Sequence, residues 1–323
     1  MFKIASLSIA WALLACSLSA APAQAGPNRA WVSGMGTDSG ACARAAPCKI
    51  FAFALTQTAA GGEIDVLDPA GYGMATITKA ISIVNDGVGV ATIGTSWGNA
   101  ITINAGAGDS VHLRGLTVDG LGSGKAGIAF ITGGNLEIEN SVIRNFANVG
   151  ILISPSTSSS FSVSNTIASN NFGGGITIMP TGAAIVKGVF SKVTTNNNNN
   201  EGIVVTGSFT TGASLNVTIV DSVASNNADS GVEAFSSPGG AATAVTLRNV
   251  VASNNSIVVA SNNSIGLFTE ANTILRIAHS AVTGNGTIGV TTVGGGILNS
   301  YGDNDIDGKT NNNTGVLITI PTH

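Results

Sequence analysis

The amino-acid sequence predicts an all-β fold, a right-handed parallel β-helix in which short strands wind into stacked coils. The first observation is the composition: 44% of the residues are hydrophobic, only 9% are charged and 43 are glycine. Such a chain can bury a core, while its polar content comes from small turn-forming residues. The second is a recurring glycine followed by a β-branched or apolar run. The third is the alternation of apolar and polar residues in the segments between these glycines, which is typical of strands.

The recurring glycines lie 23 to 35 residues apart, at Gly127, Gly150, Gly175, Gly202, Gly231, Gly266 and Gly289. Repeats of this length with only short strands cannot each close a core, so we expect them to stack about 4.8 Å apart. The residues after the first five glycines should then form one aliphatic column: Ile128, Ile151, Ile176, Ile203 and Val232. Right-handed coiling is expected for parallel strands. An antiparallel sandwich is the competing fold, but the sequence does not show a series of two-residue hairpin turns.

Residues 1–25 have the pattern of a signal peptide. Lys3 gives a positive start, residues 4–18 are apolar, and Ala23-Gln24-Ala25 forms a small-x-small cleavage site before Gly26. The apolar run is shorter than the roughly 20 residues of a membrane helix. We therefore expect an exported, bacterial protein found in the periplasm, at the cell surface or in the medium. Lipid attachment at Cys16 is an alternative, because Leu-Leu-Ala precedes it.

Residues 26–62 are predicted to form an N-terminal cap. Cys42 and Cys48 remain after cleavage, and an even pair in an exported chain favours a disulfide. Without a nearby histidine or further cysteine, a metal site is not expected. Residues 47–60 predict a short amphipathic helix that ends at Gly61-Gly62 and covers the first coil. The β-helix then occupies residues 63–323, with a polar loop at 301–313 and a closing strand at 316–320.

One polar position recurs two residues after an inward apolar residue of the alternating strands. Its members are Asn140, Asn165, Asp221, Asn249 and His279. Short amide side chains stacked at a turn can hydrogen-bond to each other and to the backbone. We therefore interpret this column as structural, and His279 as a substitute for a structural asparagine rather than a catalytic residue.

The same register predicts one charged patch. It places His112 beside Glu137 and Arg114 beside Glu139 on the outer face of neighbouring coils. A proton-transfer or glycan-binding site is the functional interpretation, and two cross-strand ion pairs are the structural one. Asp119 and Lys125 could join either version. A second outer face is expected to be flat and mostly uncharged, formed by Ala129, Leu152, Thr177, Val204, Glu233, Phe268 and Thr291.

The sequence resembles the pectate-lyase-like superfamily of right-handed parallel β-helix proteins. The resemblance is carried by Cys48-Lys49-Ile50-Phe51, by the segment 61–69 with Tyr72, and by the Leu-x-Ile-x-Asn-Ser repeats. It implies the fold over nearly all of the mature chain, and a functional range from lyases, hydrolases and epimerases to tailspikes, adhesins and members without known activity. The Asn-Thr-Asp, Asp-Asp, Gly-His-Gly and Arg-Ile-Lys motifs of the hydrolases do not occur in the sequence. An acidic cluster for Ca²⁺, as in the lyases, is not evident.

Two hypotheses of function follow. The first is an exported, non-catalytic interaction module, with polysaccharide or cell-surface glycan as its candidate partner. The second is a carbohydrate-active enzyme, a lyase or epimerase with an unrecognised site in which His112 or Arg114 is the base. No cofactor and no membrane span of the mature chain are expected. Nucleic acid is not an expected partner, because the precursor has a formal net charge of −4 and its Lys and Arg residues do not cluster.

Overall fold

The computed structural model describes residues 26–255, 265–308 and 311–321; the predicted signal peptide lies outside them. Within these residues the chain forms one helix and 32 strands, arranged in parallel sheets of 12, 10 and 10 strands. We call them sheets I, II and III, in the order in which each coil visits them. Strands follow one another in each sheet at intervals of one coil, which confirms the parallel β-helix.

The strand bounds are as follows. Sheet I contains β1 (Arg29–Val32), β2 (Gly62–Val66), β5 (Ile81–Val84), β8 (Ser110–Arg114), β11 (Asn135–Glu139), β14 (Ser159–Ser164), β17 (Val186–Ser191), β20 (Ser214–Val220), β23 (Ala242–Arg248), β26 (Thr273–Ala278), β29 (Ile297–Ser300) and β32 (Leu317–Thr319). Sheet II contains β3 (Ala70–Gly71), β6 (Ala91–Gly94), β9 (Leu116–Asp119), β12 (Val142–Arg144), β15 (Ile167–Ser169), β18 (Thr194–Asn196), β21 (Val223–Ser225), β24 (Val251–Ser253), β27 (Ala281–Asn285) and β30 (Asp305–Gly308). Sheet III contains β4 (Ala75–Ile77), β7 (Asn99–Asn104), β10 (Ala126–Thr132), β13 (Val149–Ile153), β16 (Ile176–Ile178), β19 (Ile203–Thr206), β22 (Val232–Phe235), β25 (Ile265–Thr269), β28 (Ile288–Thr292) and β31 (Asn311–Thr314).

The predicted aliphatic column lies in sheet III and faces the core. Its five members pair in sequence along the sheet, and each is at most 1% exposed: Ile128, Ile151, Ile176, Ile203 and Val232. Inward residues of sheets I and II complete the same core. A shift of one residue in any strand would turn its apolar set toward solvent, so the core fixes the register of every coil.

The N-terminal cap contains helix α1 (Phe51–Gln57), which buries Phe51, Ala54 and Leu55. The helix ends before the predicted glycine terminator, because Thr58 is already extended. Lys79 Nζ donates to the carbonyl oxygens of Leu55 (2.6 Å) and Thr58, and so satisfies groups at the helix end. The prediction that Gly61-Gly62 ends this helix is therefore wrong.

The predicted disulfide joins Cys42 to Cys48, and both residues are fully buried. It closes a loop that lies against β1, since Trp31 N donates to Cys42 O (2.8 Å) and Cys48 N donates to Trp31 O (2.9 Å). The loop therefore extends the first coil on its outer end, where an exposed strand edge would otherwise lie.

Asp68 ties this cap to the first coil. Ser33 Oγ donates to Asp68 Oδ2 (2.5 Å), and Gly34 N and Tyr72 Oη each donate to Asp68 Oδ1 (2.7 Å). These hydrogen bonds, the one from Ser33 first, lower the pKa of Asp68.

At the C-terminal end of the solenoid, residues 301–313 are not simply the expected polar loop, since they include β30 and the first part of β31. The strand β32 follows, inside the predicted closing segment.

A buried ladder of asparagines shapes the turns from sheet II to sheet III. Its members are Asn171, Asn198, Asn227, Asn255 and Asn285, each at most 1% exposed. In each step the Nδ2 group of one asparagine donates to the Oδ1 atom of the next, over 2.9 to 3.1 Å. The same Oδ1 atom accepts the backbone N–H of the previous asparagine. The ladder thus satisfies donors that the turn would otherwise bury unpaired.

Replacing one rung should destabilise the whole stack. Asn227→Ala removes two hydrogen bonds to Asn198 and leaves the Oδ1 atom of Asn255 and the carbonyl of Thr195 without this partner. We expect a loss of about 2 to 4 kcal/mol, because buried polar groups lose their partners. Thermal unfolding followed by circular dichroism measures the effect.

The matched control is Asn216→Ala, which removes an exposed amide from β20. We expect this change to stay within about 0.5 kcal/mol of the wild type. Equal destabilisation by the two variants would show that the ladder contributes nothing specific.

Candidate functional site

The predicted patch of His112, Arg114, Glu137 and Glu139 lies on the outer face of sheet I. In the register of β8 and β11, His112 is opposite Glu137 and Arg114 is opposite Glu139. The Nε2 atom of His112 is 3.6 Å from Glu139 Oε2. The Nε atom of Arg114 is 4.0 Å from that oxygen and 3.3 Å from Asp86 Oδ1. The structure therefore brings the four residues together and adds Asp86.

The patch is shallow. It borders an open depression of about 480 Å³ whose lining includes Asp86, Gly87 and Arg114. On the side of β11 the chain passes into sheet II through the single left-handed residue Asn140, so no long loop rises beside the two glutamates. The cationic group of Arg114 faces two carboxylates. This arrangement fits cross-strand ion pairs that favour one register.

Neither of the two flanking residues joins the patch through an ion pair in the described part of the chain. Asp119 contacts Arg144 instead (Nε to Oδ2, 3.0 Å), and it accepts hydrogen bonds from Leu121 N and Asn145 Nδ2. Burial raises the pKa of Asp119, but these hydrogen bonds outweigh burial and lower it. Lys125 is exposed, in the turn before β10.

The predicted polar column forms the left-handed turns from sheet I to sheet II. Its five members have φ between 47° and 52°: Asn140, Asn165, Asp221, Asn249 and His279. Asparagine and aspartate tolerate this conformation better than most residues. Asn249 Nδ2 donates to Asp221 Oδ1 (2.7 Å), and His279 Nδ1 lies 3.0 Å from Asp303 Oδ2. These contacts belong to turns, and they support a structural role.

The outer side of sheet III is not the mostly uncharged face expected from the sequence: Ala129, Val204 and Thr291 are buried, and Glu233 is one of a group of carboxylates. Glu233, on β22, is only partly exposed, and Glu201, Asp229 and Glu270 lie around it. Burial first, and then the charges of these three residues, raise the pKa of Glu233 to about 8. Burial also raises the pKa values of Glu201 and Asp229. The raised pKa of Glu233 favours its protonated form at neutral pH.

A second feature missed from the sequence is an apolar edge along the turns between sheets II and III. Trp97 precedes β7 and is 70% exposed, Leu121 precedes β10 and is 64% exposed, and Phe172 precedes β16 and is 70% exposed. We call these three residues the aromatic edge, after Trp97 and Phe172. Two open depressions border it. One, of about 480 Å³, is lined by Trp97, Asn99 and Thr102 among others; the other, of about 460 Å³, is lined by Phe172 and by five asparagines.

Across the residues described, no three or more His, Cys, Asp and Glu side chains are grouped so that they could hold a metal ion. The same part of the chain contains no helix long and apolar enough to cross a bilayer.

Solved structures that resemble this chain share its fold. Pectate lyase Pel9A superposes with a TM-score of 0.55 at 17% identity, over 92% of this chain and 78% of that one. An alginate lyase from Paenibacillus sp. gives 0.53 at 16% identity, over 90% and 99%. A rhamnogalacturonan lyase gives 0.52 at 13% identity, over 80% and 75%. At these identities the likeness shows the fold alone.

No curated protein matches the sequence at a significant level. The family model described as the right handed beta helix region matches residues 78–239, about half of the chain. That segment begins just before β5 and ends beyond β22. The register, the stacked core and this match agree, and the chain belongs to the right-handed β-helix family.

Proposed function

We propose that this protein is an exported β-helix that binds a polysaccharide along the aromatic edge without cleaving it. The observation that carries the proposal is the exposure of Trp97 and Phe172 beside depressions lined by amides and hydroxyls. Large aromatic side chains that stay exposed together usually mark an interaction surface. Aromatic rings pack on the apolar faces of sugar rings, and amides can exchange hydrogen bonds with their hydroxyls.

The spacing suits an extended ligand. Trp97 and Phe172 precede strands that are three steps apart in sheet III, which corresponds to about 14 Å along the helix axis. Leu121 lies between them, one step from Trp97. A polysaccharide lying parallel to the axis would therefore contact both aromatic rings at once.

The edge favours a neutral ligand. The residues that line the depression at Phe172 are glycine, asparagine and phenylalanine, without a charged side chain. An anionic polysaccharide would require Lys or Arg there to balance its carboxylates. We therefore expect a neutral polysaccharide, bound through contacts that salt screens little.

Further support comes from outside the edge. The structural neighbours are named as lyases of pectate, alginate and rhamnogalacturonan, so polysaccharide is a ligand class that this fold accommodates. Export is supported by the signal pattern of residues 1–25 and by the disulfide, which persists in oxidising compartments. The paired charges around Arg114 fit cross-strand ion pairs rather than a catalytic role of the sheet I patch.

The first test is binding of a panel of neutral and anionic polysaccharides, measured by affinity electrophoresis and calorimetry. The double variant Trp97→Ala, Phe172→Ala should bind about 10 to 100-fold more weakly, since each ring contributes roughly 1 kcal/mol. Raising the salt concentration should leave the affinity of the wild type nearly unchanged.

The control is Phe209→Ala, because Phe209 is also an exposed phenylalanine (55%) but lies in a loop between sheets III and I. It should bind like the wild type. Affinity that survives in the double variant, or binding restricted to anionic chains, would rule out the aromatic edge as the site.

A second candidate function is a carbohydrate-active enzyme, a lyase or epimerase. Glu233 favours it, since a carboxylic acid that keeps its proton near neutral pH can act as a general acid. His112 and Arg114 are the candidate bases on the other face. Incubation with uronate polysaccharides, monitored for unsaturated products, separates the two functions. We expect no product; product that is lost in Arg114→Ala or in Glu233→Gln would establish the enzyme and locate its site.

The state of Glu233 can be tested by stability alone. Between about pH 4.5 and 8 the folded chain holds a proton that the unfolded chain has released, so stability falls as pH rises through this window. Glu233→Gln removes this effect. The variant should melt higher than the wild type near pH 9, by about 2 to 4 °C for each kcal/mol gained, and nearly equally near pH 4.

Glu137→Gln is the control for the loss of one carboxyl group, because Glu137 lies on sheet I, away from the carboxylates that surround Glu233 on sheet III. An equal melting difference at both pH values in the Glu233 variant would mean that Glu233 is not held protonated by its surroundings.

A further inference from the structure

The outer face of sheet I is divided into two halves of opposite charge. The first half, from β1 to β11, carries two arginines and four carboxylates: Arg29, Arg114, Glu63, Asp65, Glu137 and Glu139. The loop after β5 adds Asp86, which is 65% exposed at its side chain. Arg29 and Arg114 are both paired with carboxylates of the same half. Negative charge is therefore left in excess.

The second half, from β17 to β32, has the opposite character. Its described strands carry Lys187, Arg248 and Arg276 and no carboxylate on the outer face. None of these cations has a carboxylate within ion-pair distance in the described part of the chain. Apolar side chains accompany them, since Val189 and Ile318 are each 42% exposed and Ile297 is 39% exposed.

The two halves meet at β14, the sixth of the twelve strands. Its outward residues are all small and uncharged: Ser160, Ser162 and Ser164. Small side chains at the centre allow another flat surface to come close, at the roughly 10 Å spacing of packed sheets.

We propose that two copies of this chain associate through the outer faces of sheet I, about a two-fold axis that is parallel to the strands and passes over β14. Such an axis reverses the direction of the solenoid, so the acidic half of each copy lies on the basic half of the other. The interface is isologous, and each contact occurs twice. The proposal goes beyond polysaccharide binding, which uses the aromatic edge on other sheets.

The position of the axis and the strand order of sheet I determine which strands of the two copies face each other. Counting outward from β14, β11 is opposite β17. Lys187 is in register with Asn135, two residues before Glu137, so the long Lys187 side chain of one copy can reach Glu137 of the other. By the same count β2 is opposite β26, which brings Glu63 and Asp65 to Arg276.

Two further strand pairs are also compatible. The strand β5 is opposite β23, where Asp86 in the loop after β5 meets Arg248, both at the ends of their strands nearest sheet II. The strand β1 is opposite β29, where Arg29, already paired within its own copy, lies at the level of the uncharged Asn299. The excess negative charge of one half thus lies over the unpaired cations of the other.

The outer face of sheet I is large enough for a stable interface. Twelve strands about 4.8 Å apart give a face roughly 50 Å long, and strands of about five residues make it roughly 16 Å wide. The product, about 800 Å² for each copy, matches a stable interface of ordinary size.

Sedimentation velocity on the mature chain tests the proposal. The wild type should form a dimer at about 50 µM in low salt, and the dimer should dissociate as salt screens the facing charges. Lys187→Glu and Glu137→Lys should each weaken the dimer at least tenfold, because each converts two attractions into repulsions. The chain that carries both changes should regain most of the affinity. Lys49→Glu makes the same charge reversal in the N-terminal cap, outside sheet I, and should have no effect.

Three results would overturn the proposal. The wild type could stay monomeric in low salt, or its dimer could survive both single reversals. Alternatively, a monomer could bind an anionic polysaccharide through Lys187, Arg248 and Arg276, which would assign these cations to a ligand instead of a second copy.

Discussion

The parallel register between successive coils is the constraint on which every other feature of this molecule depends. Each strand forms its backbone hydrogen bonds with the strand one coil earlier and one coil later, so a residue's place within the repeat decides which neighbours it has. Because side chains alternate between core and solvent, a slip of one residue would expose a buried column and bury a charged one. The aliphatic column, the buried asparagines and the halves of sheet I are therefore consequences of one alignment.

The turns show how far that alignment can be predicted from sequence. The position of Asn140 and its equivalents could be predicted, since it follows directly from counting two residues past an inward apolar residue. The buried ladder that begins at Asn171 could not, because both asparagines of a Ser-Asn-Asn turn look equally polar. Only the backbone decides that the first adopts the left-handed conformation and the second points inward. The helix end was missed for a related reason, since Lys79, more than 20 residues later, supplies the cap.

The functional surfaces, like the turns, could be predicted from sequence only in part. The proximity of His112, Arg114 and the glutamates was predictable because it involves only two adjacent strands, whose register the repeat reveals. The protonated state of Glu233 was not, since it depends on burial by turns and on charges from other coils. Likewise, Trp97 and Phe172 could have been core residues like Phe146, which occupies a neighbouring turn and is buried. The sequence contains the aromatic residues, but the path of each turn decides whether they face the core or the solvent.

A solenoid with three faces can separate tasks that a compact domain must combine. The ion pairs of sheet I do not need to be catalytic to be useful, because charges that fix the register within one chain can also favour an antiparallel copy over a parallel one. A two-fold axis parallel to the strands leaves the aromatic edge of each copy free and reverses one relative to the other. Two aromatic edges on one dimer would strengthen attachment to a polysaccharide, since the second binding event becomes intramolecular. Weak contacts with a neutral polysaccharide are then sufficient, because affinity comes from the number of edges engaged rather than from any single contact.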